Sequence, residues 1–95
     1  MSKRFRNILG PKIRELRNKA GMSQDDLAAR LQLAGLDNID RVAVAKIESQ
    51  IRSIFDYELI VLEKVLKVTP EEMHSVSDRT LRSHLPRLSG ARLKD

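Results

Sequence analysis

Cysteine and tryptophan are both absent from these 95 residues, and the aromatic side chains are only Phe5, Phe55 and Tyr57. Without cysteine there is no disulfide, no thiolate metal site and no cysteine nucleophile, a usage compatible with a reducing cytoplasm. Few aromatics beside many aliphatic residues argue against a sandwich of aromatic-rich strands and for packed helices. Long apolar runs are missing too. The stretches that exist cover only a few residues, as at Leu59–Leu62, and Met1-Ser2-Lys3-Arg4-Phe5-Arg6 has no apolar segment behind its charges. Neither a membrane span nor a secretory leader is expected, and the expected location is the cytoplasm. The two histidines, His74 and His84, stand ten positions apart with no convergent carboxylates. No metal, no cofactor and no catalytic constellation is therefore expected, and the chain does not read as an enzyme.

What is present is charge, unevenly placed. Of the net +5, residues 1–20 hold seven basic side chains against Glu15 alone, residues 21–73 hold six basic against ten acidic, and residues 74–95 hold five against two. A basic end on an acidic body favours contact with a polyanion, although solvated lysines and arginines on an ordinary surface give the same tally. Ninety-five residues suffice for one core. The expected division is a basic arm over 1–7, a folded domain over 8–76 and a partly ordered tail over 77–95.

Periodicity and punctuation divide the domain into helices. Gly10-Pro11 opens the first helix, Ile13, Leu16 and Ala20 share a face, and Gly21 closes it with a left-handed cap. Ser23 with Asp25 and Asp26 starts a second helix with Leu27, Ala28 and Leu31 inward. Ala34 to Ile39 interrupts the pattern with Gly35 and Asp37-Asn38. Asp40 caps a third helix ending near Ser49, in which Val44 and Ile47 face inward and Arg41, Val42, Ala45, Lys46 and Ser49 outward. Asp56 is expected to cap a fourth, with a broad face of Leu59, Ile60, Leu62, Val65 and Leu66. Thr69-Pro70-Glu71-Glu72 begins a short fifth. Leu81, Leu85 and Leu88 have helical spacing, but Pro86, Ser89 and Gly90 interrupt it.

The ordered set Ile13-Arg14-Glu15-Leu16-Arg17, Gly21-Met22-Ser23-Gln24-Asp25-Asp26-Leu27-Ala28, Val44-Ala45-Lys46-Ile47-Glu48, Glu58-Leu59 and Leu66-Lys67-Val68-Thr69 resembles the Cro/C1-type (XRE) family of helix-turn-helix repressors over roughly residues 8–73. The resemblance implies an all-α, five-helix bundle of the lambda-repressor-like type whose third helix enters the major groove of double-stranded DNA. It implies base contacts from Arg41, Val42 and Lys46, and backbone contacts from Gln24, Ser49, Gln50 and Arg52. It also implies an ion pair between Arg17 and Glu48 that orients the reading helix. Lys3, Arg4 and Arg6 are expected to form an arm that adds charge. The implied activity is transcriptional regulation, as a repressor occupying an operator. Because one such module makes few base contacts, the expected working form is a homodimer over half-sites about 34 Å apart, with the fifth helix and tail as candidate interfaces, there or for another protein.

Two features depart from the family pattern. The link between the second and third helices, Ala34 to Ile39, exceeds the usual tight turn and puts the interhelical angle in question. The glycine common soon after the family's glutamate is replaced by Ser49-Gln50-Ile51, so a different exit path is expected. Arg41 and Lys46 taken alone would also fit a merely solvated face. The acidic middle segment keeps a second class of function open: a protein-interaction module, antitoxin-like or an adaptor, with little or no DNA reading.

Overall fold

Pro11 lacks the amide hydrogen that a first helical turn leaves unpaired in any case, and helix α1, Gly10–Lys19, begins beside it. The computed structural model describes residues 4–88. After α1, Gly21 takes φ +73°, a left-handed conformation in which a side chain would be strained. Met22 can then turn back to donate to the carbonyl of Arg17 at 3.1 Å. Helix α2, Gln24–Leu33, is capped reciprocally. The Asp26 amide donates to Ser23 Oγ at 3.0 Å, and the Ser23 amide donates to the Asp26 carboxylate at 2.9 Å. Helix α3 covers Arg41–Glu48, α4 Asp56–Leu66 and α5 Pro70–Met73.

The fold is all-α, and a sixth helix, α6 at Asp78–His84, extends the expected five, followed by a 3-10 turn at Leu85–Arg87. Among the described residues the only extended pairing is an isolated parallel bridge between Phe5 and Leu88. Ser77 nucleates α6 by accepting from the Thr80 amide at 3.1 Å, so the tail expected to be partly ordered is helical as far as His84. Ser89 onward, and Lys3 of the expected arm, lie outside the described residues. The arm itself departs from expectation at Phe5 and Asn7, which are both buried. Phe5 donates its amide to the Arg87 carbonyl at 2.6 Å, and Arg6 donates its amide to the Gln50 carbonyl at 2.7 Å.

The core gathers the inward faces of α1 to α5, with Ile13, Leu27, Leu31, Ile47, Leu62 and Met73 fully buried. Each such side chain contributes about 1.5–3 kcal/mol of hydrophobic stabilisation. The long α2–α3 connection, expected only to interrupt the pattern, adds Leu36 and Ile39 to this core. Gln32 Nε2 holds it by donating to the Ile39 carbonyl at 3.0 Å. With its two apolar residues anchored, the longer link returns α3 against α2, and Ala28 at the contact is buried.

Helix α4 corrects two expectations. Its N-cap is Phe55, with Asp56 already in the first turn, because the Glu58 carboxylate accepts from the Phe55 amide at 3.0 Å. Ile60, expected on the apolar face, is 52% exposed. At 100° per residue it lies about 160° around the helix from Leu62, the centre of the buried stripe.

Gly10 marks a close approach of α1 to the end of α3. A Cβ there would collide with the Ile47 carbonyl oxygen and come within 2.9 Å of that of Glu48. Both belong to the end of α3. Gly10→Ala is therefore expected to push α1 away from α3 and destabilise the protein by about 1–3 kcal/mol, read as a lower urea midpoint with the slope unchanged.

Candidate nucleic-acid interface

Asp40 starts α3 by accepting from the Ala43 amide at 2.9 Å, which fixes where the helix begins and hence which residues face out. Val44 and Ile47 are each 1% exposed. Arg41, Val42, Lys46 and Ser49 are exposed, with Ala45 half-buried between them. At 100° per residue these five fall within an arc of about 140°. The only carboxylate within α3, Glu48, points inward. The outer face therefore presents two cations, one branched apolar side chain and small residues, in a convex helix wide enough to fill a major groove.

Glu48 pins this helix from beneath. Arg17 Nε donates to Glu48 Oε2 at 2.6 Å and Arg17 Nη2 donates to Oε1 at 3.0 Å, a two-pronged pair with both residues 7% exposed. Arg17 Nη1 also donates to the Met22 carbonyl at 2.8 Å, tying the pair to the turn before α2. The hydrogen bond to Glu48 raises the Arg17 pKa against the opposing effect of burial, so the guanidinium is charged at every working pH. Gln24 joins the same cluster: its Nε2 donates to Glu48 Oε1 at 3.1 Å. One donor of the side chain expected on a phosphate is thus turned inward.

The exit of α3 is held by residues that sequence reasoning either missed or placed elsewhere. Asn7 donates through Nδ2 to the carbonyls of Ile47, at 3.0 Å, and Arg52, at 2.8 Å. Its Oδ1 accepts from the Gly10 amide at 2.7 Å. One buried side chain thereby joins the start of α1, the end of α3 and the loop beyond. Gln50, expected at the DNA backbone, is 8% exposed. Its Nε2 donates to the Asn7 carbonyl at 3.1 Å. Its φ of +66° is the conformation that a glycine takes without strain. The exit loop thus keeps a left-handed turn despite the missing glycine, and the inward amide helps to offset its cost.

Arg52 is likewise engaged. Its Nη1 and Nη2 donate to the two Glu58 oxygens at 3.0 Å each, and Nη1 also donates to the Ser53 carbonyl at 3.0 Å. That fork closes the loop onto the first turn of α4 and gives Arg52, expected at a phosphate, a structural partner there. Burial pushes the Glu58 carboxyl up. The hydrogen bonds from Arg52 and the Phe55 amide, with the charge of Arg52, outweigh it and hold the group below the ordinary carboxylate range. Glu58-Leu59 carried part of the family resemblance, but nothing local pointed to Arg52 as the partner. Asn7 had no sequence signal, since its contacts lie forty or more residues away. Among the described residues no group of three or more acidic or imidazole side chains could hold a metal ion.

Residues 13–73 match the family model described as Helix-turn-helix. Among solved structures, the restriction-modification controller protein C.AhdI from Aeromonas hydrophila is similar, with 29% identity and a TM-score of 0.59, over 68% of this chain and 86% of that one. No curated protein matches the chain significantly.

Removing one partner of the buried pair leaves the other charge uncompensated, so Glu48→Ala is expected to cost about 3–5 kcal/mol, measured by chemical denaturation. A second test is titration of stability with acid. Because the Glu58 pKa is lowered on folding, its contribution is fully present above the unfolded-state value, near 4.3, and is lost as pH falls through the lower folded value. Glu58→Gln should flatten this part of the stability profile below about pH 4.5, followed by thermal melting at stepped pH.

Proposed function

Since the chain belongs to the helix-turn-helix family of Cro/C1 (XRE) type, a family of DNA-binding transcription regulators, we propose that it reads a specific double-stranded DNA sequence through α3 and represses transcription by occupying that site. The observation that carries this reading is the outer arc of α3, with Arg41, Val42 and Lys46 exposed and its carboxylate buried against Arg17. Arg41, in the first turn, suits a two-pronged contact to guanine, Val42 a thymine methyl, and Lys46 guanine or a neighbouring phosphate. Ser49 and the remaining N–H of the Gln24 amide serve the sugar-phosphate backbone. The description of C.AhdI as a controller protein supports a regulatory role of the binding-only kind.

A single module makes few base contacts, so the working form is a two-fold dimer over half-sites one helical turn apart, about 34 Å. Helix α5 and the C-terminal helix are the surfaces assigned to pairing, and Leu81 is exposed there.

The acidic middle segment, the feature that favoured a pure protein-interaction module, has a local origin. Of its ten carboxylates, Asp25, Asp26, Asp40, Asp56, Glu58, Glu71 and Glu72 sit at helix starts, where the helix dipole favours negative charge. Glu48 is consumed by Arg17. The acidity thus belongs to capping and internal pairing, which weakens the case for an acidic docking face.

Selection of bound sequences from a random duplex pool is expected to return a symmetric motif; a featureless pool would reject sequence reading. Arg41→Ala is expected to lose about 1–3 kcal/mol of discrimination at one base pair of each half-site, with the fold intact because the side chain is exposed.

A further inference from the structure

Residues 4–6 and the segment His84–Leu88 meet beside the exit of α3, outside residues 13–73 matched by the family model. Phe5 is the joint. Its amide donates to the Arg87 carbonyl at 2.6 Å, it bridges to Leu88, its ring meets His84 edge-on at 4.9 Å, and the Arg87 guanidinium lies 6.0 Å from the ring centre. On either side of this buried ring Arg4 and Arg6 are exposed, as is Arg87. The Arg6 amide donates to the Gln50 carbonyl at 2.7 Å, which places this cluster directly against the loop that leaves α3.

Neutralisation divides the basic residues into two kinds. Arg17, Arg52 and Lys12 each have a carboxylate partner, whereas Arg4, Arg6 and Arg87 have no ion-pair partner among the described residues. Arg52, which the family resemblance put at the phosphates, is paired with Glu58. Arg4, Arg6 and Arg87 are the exposed cations that the segments around Phe5 bring beside the exit of α3. Like charges on adjoining segments repel each other, and a phosphate chain relieves that repulsion.

We propose that Arg4, Arg6 and Arg87 form a fixed cationic ridge that binds DNA phosphates flanking the sequence read by α3, and that docking of α6 and the Leu85–Arg87 turn on Phe5 assembles it. This rests on the DNA-reading proposal above and adds to it a surface built by the C-terminal helix. In place of a loose arm, the backbone hydrogen bonds of Phe5 and Arg6 fix the segment that carries these charges before DNA arrives, which lowers the ordering cost of binding.

The test is salt dependence. Binding of the intact protein to its selected duplex and to random duplex would be measured by fluorescence anisotropy over a series of KCl concentrations. Each phosphate contact contributes about 0.9 to the slope of log K against log salt. The double variant Arg4→Ala/Arg6→Ala is expected to lower the slope by about 2, and Arg87→Ala by about 1. Affinity should fall by the same factor on both duplexes, and the lysine variants at the three positions should retain most of the slope. Circular dichroism melting checks that the variants fold. A wild-type slope in either alanine variant, with wild-type sequence reading intact, overturns the ridge alone. Failure of the wild-type protein to bind any duplex removes the DNA-reading proposal together with the ridge.

Discussion

The arrangement depends on holding one eight-residue helix by its buried end. Helix α3 is too short to persist alone, and its outer face, being polar, contributes little burial of its own. The Arg17–Glu48 pair is the main polar link from this helix to the rest of the core. Taking two charges out of water costs several kcal/mol per ion, which their attraction repays only when the remaining hydrogen-bonding capacity is met. Here Met22 and Gln24 meet it. The result is orientation more than stability: the pair tolerates one rotation of α3 about its axis, the one that keeps Glu48 inward and Arg41, Val42 and Lys46 outward.

At the same end of the helix a second constraint is steric. Gly10 lets the start of α1 lie against the last carbonyls of α3, and Asn7 satisfies one of those carbonyls from outside the helix. A helix C-terminus leaves four carbonyls without intrahelical partners. Supplying a partner from the N-terminal segment ties the path of residues 5–7 to the position of α3. The Arg52–Glu58 fork then fixes the loop beyond. Three polar groups that looked available for a ligand, Gln24, Gln50 and Arg52, are drawn wholly or partly into this frame. Its rigidity is what a groove-reading element needs, since base discrimination depends on donor positions defined to a fraction of an ångström.

The same logic accounts for the chain beyond the family match. A helix as short as α6 is not stable in isolation. It is held through Phe5, a residue eighty or so positions earlier, and through it touches the segment that caps α3. Residues 5–7 and 78–88 therefore both bear on α3, the first by hydrogen bonding and the second by packing onto the first.

Local signals were sufficient for helices α1, α2, α3 and α5, whereas the cap of α4 and the helix α6 were not read from them. Ser23, Asp40 and Thr69 each act on an amide three residues away, and Gly21 acts through its own φ, so their roles were legible in a few consecutive letters. The inward stripes of α1 to α3 were legible for the same reason, except that Ala20, expected on the α1 face with Ile13 and Leu16, is exposed just past the end of the helix, and the outward arc of α3 follows from the cap and the period. The α4 face was misjudged at Ile60 because hydrophobicity alone cannot tell which side of an apolar helix meets the core, and a buried Glu58 lay on that side. The Arg17–Glu48 pair was anticipated only through family resemblance. Asn7 with Ile47, Gln50 with Asn7, Arg52 with Glu58 and Phe5 with Arg87 came from tertiary structure alone, because polar side chains have no periodicity that reveals a distant partner. Whether such a group faces solvent or another residue depends on which backbone carbonyls and charges the folded chain brings within three ångströms of it.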